Sequence, residues 1–236
     1  MGASLTPEEV SSLRRIDTCM IANAIEAFKI RLRNEGFMNS SVRAFFSHMP
    51  PLVGYAVTAK IRCSHLPAEG GIYFDRTDWW DHVLKTPEPR VVVLEDVDES
   101  PGLGALVGEV HASILKALGC AGAITNGSVR DLPALESMQF PIFAGSVSVS
   151  HAYAHFVDFG GEVEVGGLRV QTGDLLHGDR HGVISIPHKV AADIPAQAIR
   201  LREREQKVID VCRSPDFSRE KLREAIEEQS RYLPSS

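Results

Sequence analysis

Residues 119–131 read GCAGAITNGSVRD. The first half is an apolar run of the kind that fills a buried central strand. Such a strand normally hands over to a helix through a short turn. Asn126-Gly127 suits that turn, because glycine accepts positive φ without steric cost. Arg130 and Asp131 then arrive side by side just past the strand's C-terminal end, where open α/β sheets hold their ligands. The stretch predicts a buried parallel strand with a candidate site at its end.

The neighbouring segments extend this reading. VVVLED (91–96) is a second continuous apolar run, and the glycine-rich SPGLGALVG (100–108) leads from it into a helix through about Leu118, giving a β-loop-α-β unit. Arg130-Asp131 opens a further short helix, and PIFAG (141–145) reads as the next buried strand. LVGYAVTAKIRC (52–63) is β-rich with partial alternation. The irregular stretch between it and residue 91 carries Trp79-Trp80, whose usual fate is packing onto the core. From Glu162 the pattern is β only. EVEVGGLRV turns at Gly166-Gly167, and DLLHGDRHGVISIP forms two strands joined across residues 178–182.

At the N-terminus Thr6-Pro7-Glu8-Glu9 is a capping signal for a short helix. Asp17 or Thr18 caps a second one through about Phe28, with Met20, Ile21, Ala24, Ile25 and Phe28 as its apolar stripe. The tail from His188 is charged and helical, broken at Pro215, and reads as a solvated face or one packed on a neighbouring subunit. The expectation is a mixed α/β fold in a single domain: a helical cover (1–50), a core (51–190) and a helical tail (191–236).

Composition narrows the function. The 236 residues are 44% hydrophobic, enough for a substantial core. The net charge of −6 comes from 31 acidic and 25 basic residues in mixed order, with no basic block to follow a phosphate backbone, so nucleic acid is not expected as a partner. No apolar run approaches the roughly 20 residues of a membrane span, and the N-terminus lacks a secretory pattern, so a cytoplasmic location is expected. Cys19, Cys63, Cys120 and Cys212 are far apart, with no CxxC pair, and read as reduced structural thiols.

Gly102, Gly104 and Gly108 miss the GxGxxG spacing by one residue, and the following strand ends in Asn126 rather than a ribose-binding acid, so a dinucleotide site is rejected. What remains is a loop whose amides meet a helix N-terminus, a place for a small carboxylate or phosphate. Glu109 lies in the first turn of that helix. With Arg130 and Asp131 it offers a hard-oxygen site for Mg²⁺ or Mn²⁺ and a planar guanidinium for a substrate carboxylate. A plain salt bridge between Arg130 and either acid is the competing reading. His151 and His155 have i, i+4 spacing without an HExxH pattern. His181 in the GDRHG turn is a pocket candidate, and Lys60 is a candidate for Schiff-base chemistry if buried.

Glu109, twenty intervening residues, Arg130-Asp131 and Glu136 resemble the D/E-x20-R-D-x2–5-E/D motif of the class II 4-hydroxy-4-methyl-2-oxoglutarate aldolases of the RraA-like family. GxxGxxxxGSVRD and VQTGDLLHGDRHGVISIP are similar to two further family blocks, and the likeness covers roughly residues 50–60 and 91–190. The resemblance implies a swivelling β/β/α domain assembled as a homotrimer or homohexamer, with sites at subunit interfaces. It implies that Asp131 ligates a divalent metal, that Glu109 holds a metal-bound water, and that Arg130 with Gly108 and the amides of Val110 and His111 binds the pyruvyl part of a small 2-oxo acid. The implied reaction is aldol cleavage or oxaloacetate decarboxylation, and the alternative is a non-catalytic regulator like the ribonuclease E inhibitor. Asn126 stands where many relatives carry Asp, which implies a missing charge near the metal.

Overall fold

Thr6 caps α1 (Pro7–Leu13) in a reciprocal capping box with Glu9, and the Asp17 carboxylate caps α2 (Thr18–Ala27). The structure, a computed structural model, describes residues 4–67 and 77–230. The two helices bury Val10, Leu13, Ile21, Ala24 and Ile25 against Val53, Tyr55 and Ile184 of the sheet, with Phe28 partly buried beside them. Residues 28–50 run as turns, apart from a bridge from Phe37 to Ile184 and β1 (Arg43–Ala44).

The central elements follow as β2 (Leu52–Arg62), α3 (Thr77–Leu84), β3 (Arg90–Asp96), β4 (Ala105–Val107), α4 (Glu109–Ala117), β5 (Cys120–Thr125), β6 (Ser128–Val129), α5 (Leu132–Ser137), β7 (Ile142–Ala144) and β8 (Ser146–Val147). Then come β9 (His155–Phe159), the hairpin β10 (Val163–Val165) and β11 (Leu168–Val170), β12 (Leu175–Asp179), β13 (Gly182–Ile186), and the tail helices α6 (Ile194–Arg213) and α7 (Arg219–Ser230).

The main sheet has the order β1-β7-β5-β3-β2-β12-β13, with β7, β5, β3 and β2 parallel. The long β2 divides its other edge between β12 over its first half and β9 over its second, which curls the strands into a nearly closed, barrel-like sheet. Both faces are covered. Val92 and Leu94 of β3 join Leu115, Leu135 and Trp79, whereas Val91 and Val93 join Ile124, Val163 and Val170. This two-sided burial is why VVVL is apolar without alternation.

A second, small parallel sheet, β4-β6-β8, adds to the strands expected from the sequence. β5 passes into β6 through Asn126-Gly127, and β7 passes into β8 through Gly145. Gly127 does not have the positive φ expected of it. Its requirement is space, since a Cβ there would sit 3.1 Å from Asp96 Cβ and Oδ2. Gly166 and Gly167 do have positive φ, 58° and 75°, as a tight hairpin demands.

Trp79 and Trp80 lie on the helix α3 rather than on a loop, and Trp79 is fully buried against Phe156 and Phe159. Part of the irregular 63–90 stretch, residues 68–76, lies outside the described residues. Helix α6 buries Ile194, Ala198 and Leu201 on the body; beyond them it pairs with α7, as through Lys207 Nζ and Glu228 Oε1 at 2.7 Å. Among the described residues no helix is long and apolar enough to cross a membrane.

Candidate functional site

The C-terminal ends of β4 and β6 deliver the motif residues to one place. The Arg130 amide donates to Val107 O at 3.0 Å, so Gly108-Glu109 and Arg130-Asp131 leave adjacent parallel strands together. Asp131 then takes a left-handed backbone, φ 55° and ψ 39°, that few non-glycine residues adopt. In that conformation its Oδ2 accepts from the Glu109 amide at 3.1 Å and its Oδ1 accepts from Arg130 Nε at 3.3 Å.

Gly108 is the N-cap of α4 and has no side chain to cap with. The Asp131 carboxylate takes that place and answers the positive end of the helix dipole. Its fit is close: a Cβ on Gly108 would lie 2.6 Å from Asp131 Oδ2 and 2.8 Å from Arg130 Cγ. Val110, in the same first turn, has an exposed side chain. His111 turns inward instead, 2% exposed, with Nδ1 3.3 Å from Leu106 O and Phe156 edge-on to its ring. Burial pushes its pKa down to about 4, so the imidazole is neutral.

The Arg130 and Asp131 side chains are about one-third exposed, 33% and 35%. The ion pair between them uses Nε alone; among the described residues nothing engages the terminal guanidinium nitrogens or the Glu109 carboxylate. The arrangement thus joins the Asp131 carboxylate, a guanidinium edge and a helix N-terminus whose first residue is the exposed Glu109. Glu136, the last acid of the motif, is turned to His48, with Oε1 3.4 Å from Nε2.

The donor set suits a hard cation. Each Asp131 oxygen carries one hydrogen bond and keeps a lone pair, and the exposed Glu109, whose amide Asp131 caps, is the nearest acid in the chain that could add a second carboxylate. Two acids do not fill an octahedral shell, so water and substrate oxygens would have to complete it. Among the described residues the one group of three potential metal-ligand residues within 4.8 Å is Cys63, Asp96 and Asp98. These atoms brace a loop. Amides of Asp98 and Gly102 hold Asp96, amides of Cys63 and Ser64 hold Asp98, and burial pushes the Cys63 thiol to about 12, leaving it a donor to Gly104 O.

Other sequence candidates fall elsewhere. His181 bonds Asp179 at the β12–β13 turn, and Gly178 pairs with Leu52 at the start of β2, so it lies at the opposite end of the sheet from Arg130. His151 and His155 lie on a loop and a strand, where i, i+4 spacing does not align them. Lys60 is half-exposed and 3.8 Å from Glu95, without the burial a Schiff-base lysine needs. Asn126 forms two hydrogen bonds with the Asp96 backbone, a role no spacing rule signals.

The RraA-like family profile, described as Aldolase/RraA, matches residues 18–185 and so encloses the whole site. A protein of Halalkalibacterium halodurans named "Putative 4-hydroxy-4-methyl-2-oxoglutarate aldolase" is 31% identical over 84 residues, 35% of this chain, and the match spans 40% of that relative's length. An uncharacterised protein of Pseudomonas syringae pv. tomato shares the fold at a TM-score of 0.71 and 17% identity, with 97% of each chain covered. Streptomyces coelicolor RraAS2, described as an unusual member of the RNase ES inhibitor RraA protein family, superposes at 0.67 and 20% identity over 87% of this chain and 98% of its own. Profile and fold agree over the sheets that carry Glu109, Arg130 and Asp131: the chain belongs to the RraA-like family.

Proposed function

We propose that this chain is a divalent-metal-dependent carbon–carbon lyase that releases pyruvate from a small 2-oxo acid. The observation that carries the reading is the guanidinium edge of Arg130, open at its terminal nitrogens, beside the Asp131-capped start of α4. The name of the Halalkalibacterium relative supports the same chemistry.

In aldol cleavage of a 4-hydroxy-4-methyl-2-oxoglutarate-like substrate, the C4 hydroxyl gives up its proton and the C3–C4 bond breaks. The electron pair moves onto the C2 carbonyl oxygen, leaving pyruvate and a pyruvate enolate that is protonated at C3. Oxaloacetate decarboxylation breaks the equivalent bond, releases CO₂ and passes through the same enolate. Arg130 binds the substrate carboxylate and neutralises the developing charge, while the first-turn amides of α4, Val110 and His111 among them, orient the acid group. Glu109 orients the water that takes and returns the proton. A Mg²⁺ or Mn²⁺ ion held by Asp131 and Glu109 would add electrophilic stabilisation of the same oxygen.

The test is pyruvate release from a panel of 2-oxo acids, with Mn²⁺ and with EDTA. Arg130→Ala is expected to lower turnover on the order of 10²- to 10³-fold, as loss of a charge-stabilising donor does. Asp131→Asn keeps a residue tolerant of the left-handed backbone and is expected to lose the metal-stimulated turnover. Borohydride trapping with pyruvate would expose a lysine route. Inert, metal-loaded wild type would leave the non-catalytic docking protein as the better account. The assembly in which the chemistry is proposed is a homotrimer or homohexamer.

A further inference from the structure

We infer that Asp96 and Asn126 form a positioning hub that sets the separation of the two arms of the site. One arm runs from Gly102 through β4 to Gly108 and Glu109. The other runs from Asn126 through β6 to Arg130 and Asp131. Both arms are fastened to the last residue of β3.

The Asp96 side chain holds the first arm: its Oδ2 accepts from the Gly102 amide at 2.8 Å, while Oδ1 accepts from the Asp98 amide at 3.1 Å. The Asp96 backbone holds the second. Its amide donates to Asn126 Oδ1 at 2.7 Å and its carbonyl accepts from Asn126 Nδ2 at 3.0 Å. The side-chain amide thereby supplies one more rung to the β3–β5 ladder, whose last backbone pair is Leu94 with Thr125. Without it, pairing would end where β5 leaves for the second sheet. Asp96 is 2% exposed, and Gly127 lets the chain press against it, so the joint is tight.

The clamp needs a donor and an acceptor on one short side chain. An aspartate at 126 has no donor and would face the Asp96 carbonyl with a negative charge. Asparagine at this position therefore supplies a hinge pin rather than a missing charge. Asp96 and Asn126 touch no substrate in this account and act through the residues they hold.

The test is hydrogen exchange followed by mass spectrometry on the full chain as wild type, Asn126→Asp and Asp96→Asn, with turnover measured alongside. The hub predicts that each variant speeds exchange at least about tenfold in both arms, residues 100–109 and 126–131, while 90–94 keep their protection. It predicts a fall in kcat of at least about tenfold at a temperature well below each variant's Tm, because displacement near 1 Å is enough. Exchange confined to the substituted arm, with kcat per folded molecule within twofold of wild type, would overturn it. The turnover arm rests on the lyase reading. If wild type is inert that reading fails, and the exchange pattern alone still decides the hub.

Discussion

Replacing Gly108 by alanine separates catalytic geometry from stability. Its φ of −138° and ψ of −166° are extended values open to alanine, so the substitution meets no backbone penalty. The obstacle is steric. The new methyl would lie 2.6 Å from Asp131 Oδ2, against an ordinary contact of 3.4 Å or more, so the carboxylate must retreat by about 0.8 Å. Arg130 Cγ, at 2.8 Å, must move as well. Asp131 has little freedom to do so, since its left-handed backbone and its bond to the Glu109 amide fix the carboxylate. Crowding of this kind costs about 1–3 kcal/mol, offset by about 0.4–1 kcal/mol from the stiffer unfolded chain. Net destabilisation should be about 0–2.6 kcal/mol. Turnover should suffer far more, because a misplacement approaching 1 Å costs on the order of 10²-fold. The assay is kcat/KM for pyruvate release beside a urea melt. Activity within twofold of wild type in a folded Gly108→Ala variant would refute the claim that this contact sets the site.

Arg90→Ala should lower stability by about 3 kcal/mol, seen as a drop of about 6–12 °C in Tm, because it strands carbonyls now bonded to a buried guanidinium. Arg90 Nε donates to Thr86 O and Nη1 to Leu118 O, both at 2.7 Å, tying the ends of α3 and α4 to β3. A second expectation concerns acid. Burial lowers the His111 pKa to about 4, so between the ordinary value near 6.5 and 4 the unfolded chain binds a proton that the folded chain does not. Stability is therefore lost as pH falls through that window, by about 2 kcal/mol at pH 5 from this residue. His111→Asn should flatten the dependence of urea midpoints between pH 7 and pH 5; an unchanged slope would refute it.

The parts of the fold legible in the sequence are those with a physical period or a chemical cap. Thr6, Pro7 and Glu9 announce α1 because each meets a distinct need of a helix start. β3 and β5 are legible because strands buried on both faces must be continuously apolar. Strands of two or three residues carry no period at all, so β4, β6 and β8 leave no signal in the sequence. Trp79 packs onto the core as expected, but its helix α3 is not legible for a related reason: it is amphipathic over two turns only, too few to announce itself. Of the candidate site, residue identity and chain order were legible. Which way Glu136 and His111 face was not, because that depends on His48 and Leu106, which no local pattern connects to them.

In the proposed site, the rule that ligands gather at the C-terminal ends of parallel strands applies to a different strand than the one it first suggests. At the end of β5 there is no room for a ligand: Asn126 and Gly127 are pressed onto Asp96, and Gly145 onto Asn126. The small sheet closes that end and presents strand ends of its own one step further out. Val107 and Val129 are fully buried, and the residues just beyond them, Gly108-Glu109 and Arg130-Asp131, are the ones gathered around the start of α4. The left-handed backbone at Asp131 follows from the same layout, since the chain must turn at once from β6 into α5 while keeping its carboxylate on α4. Positive φ, expected at Gly127 where the first sheet ends, thus appears four residues later, at the residue proposed to hold the metal.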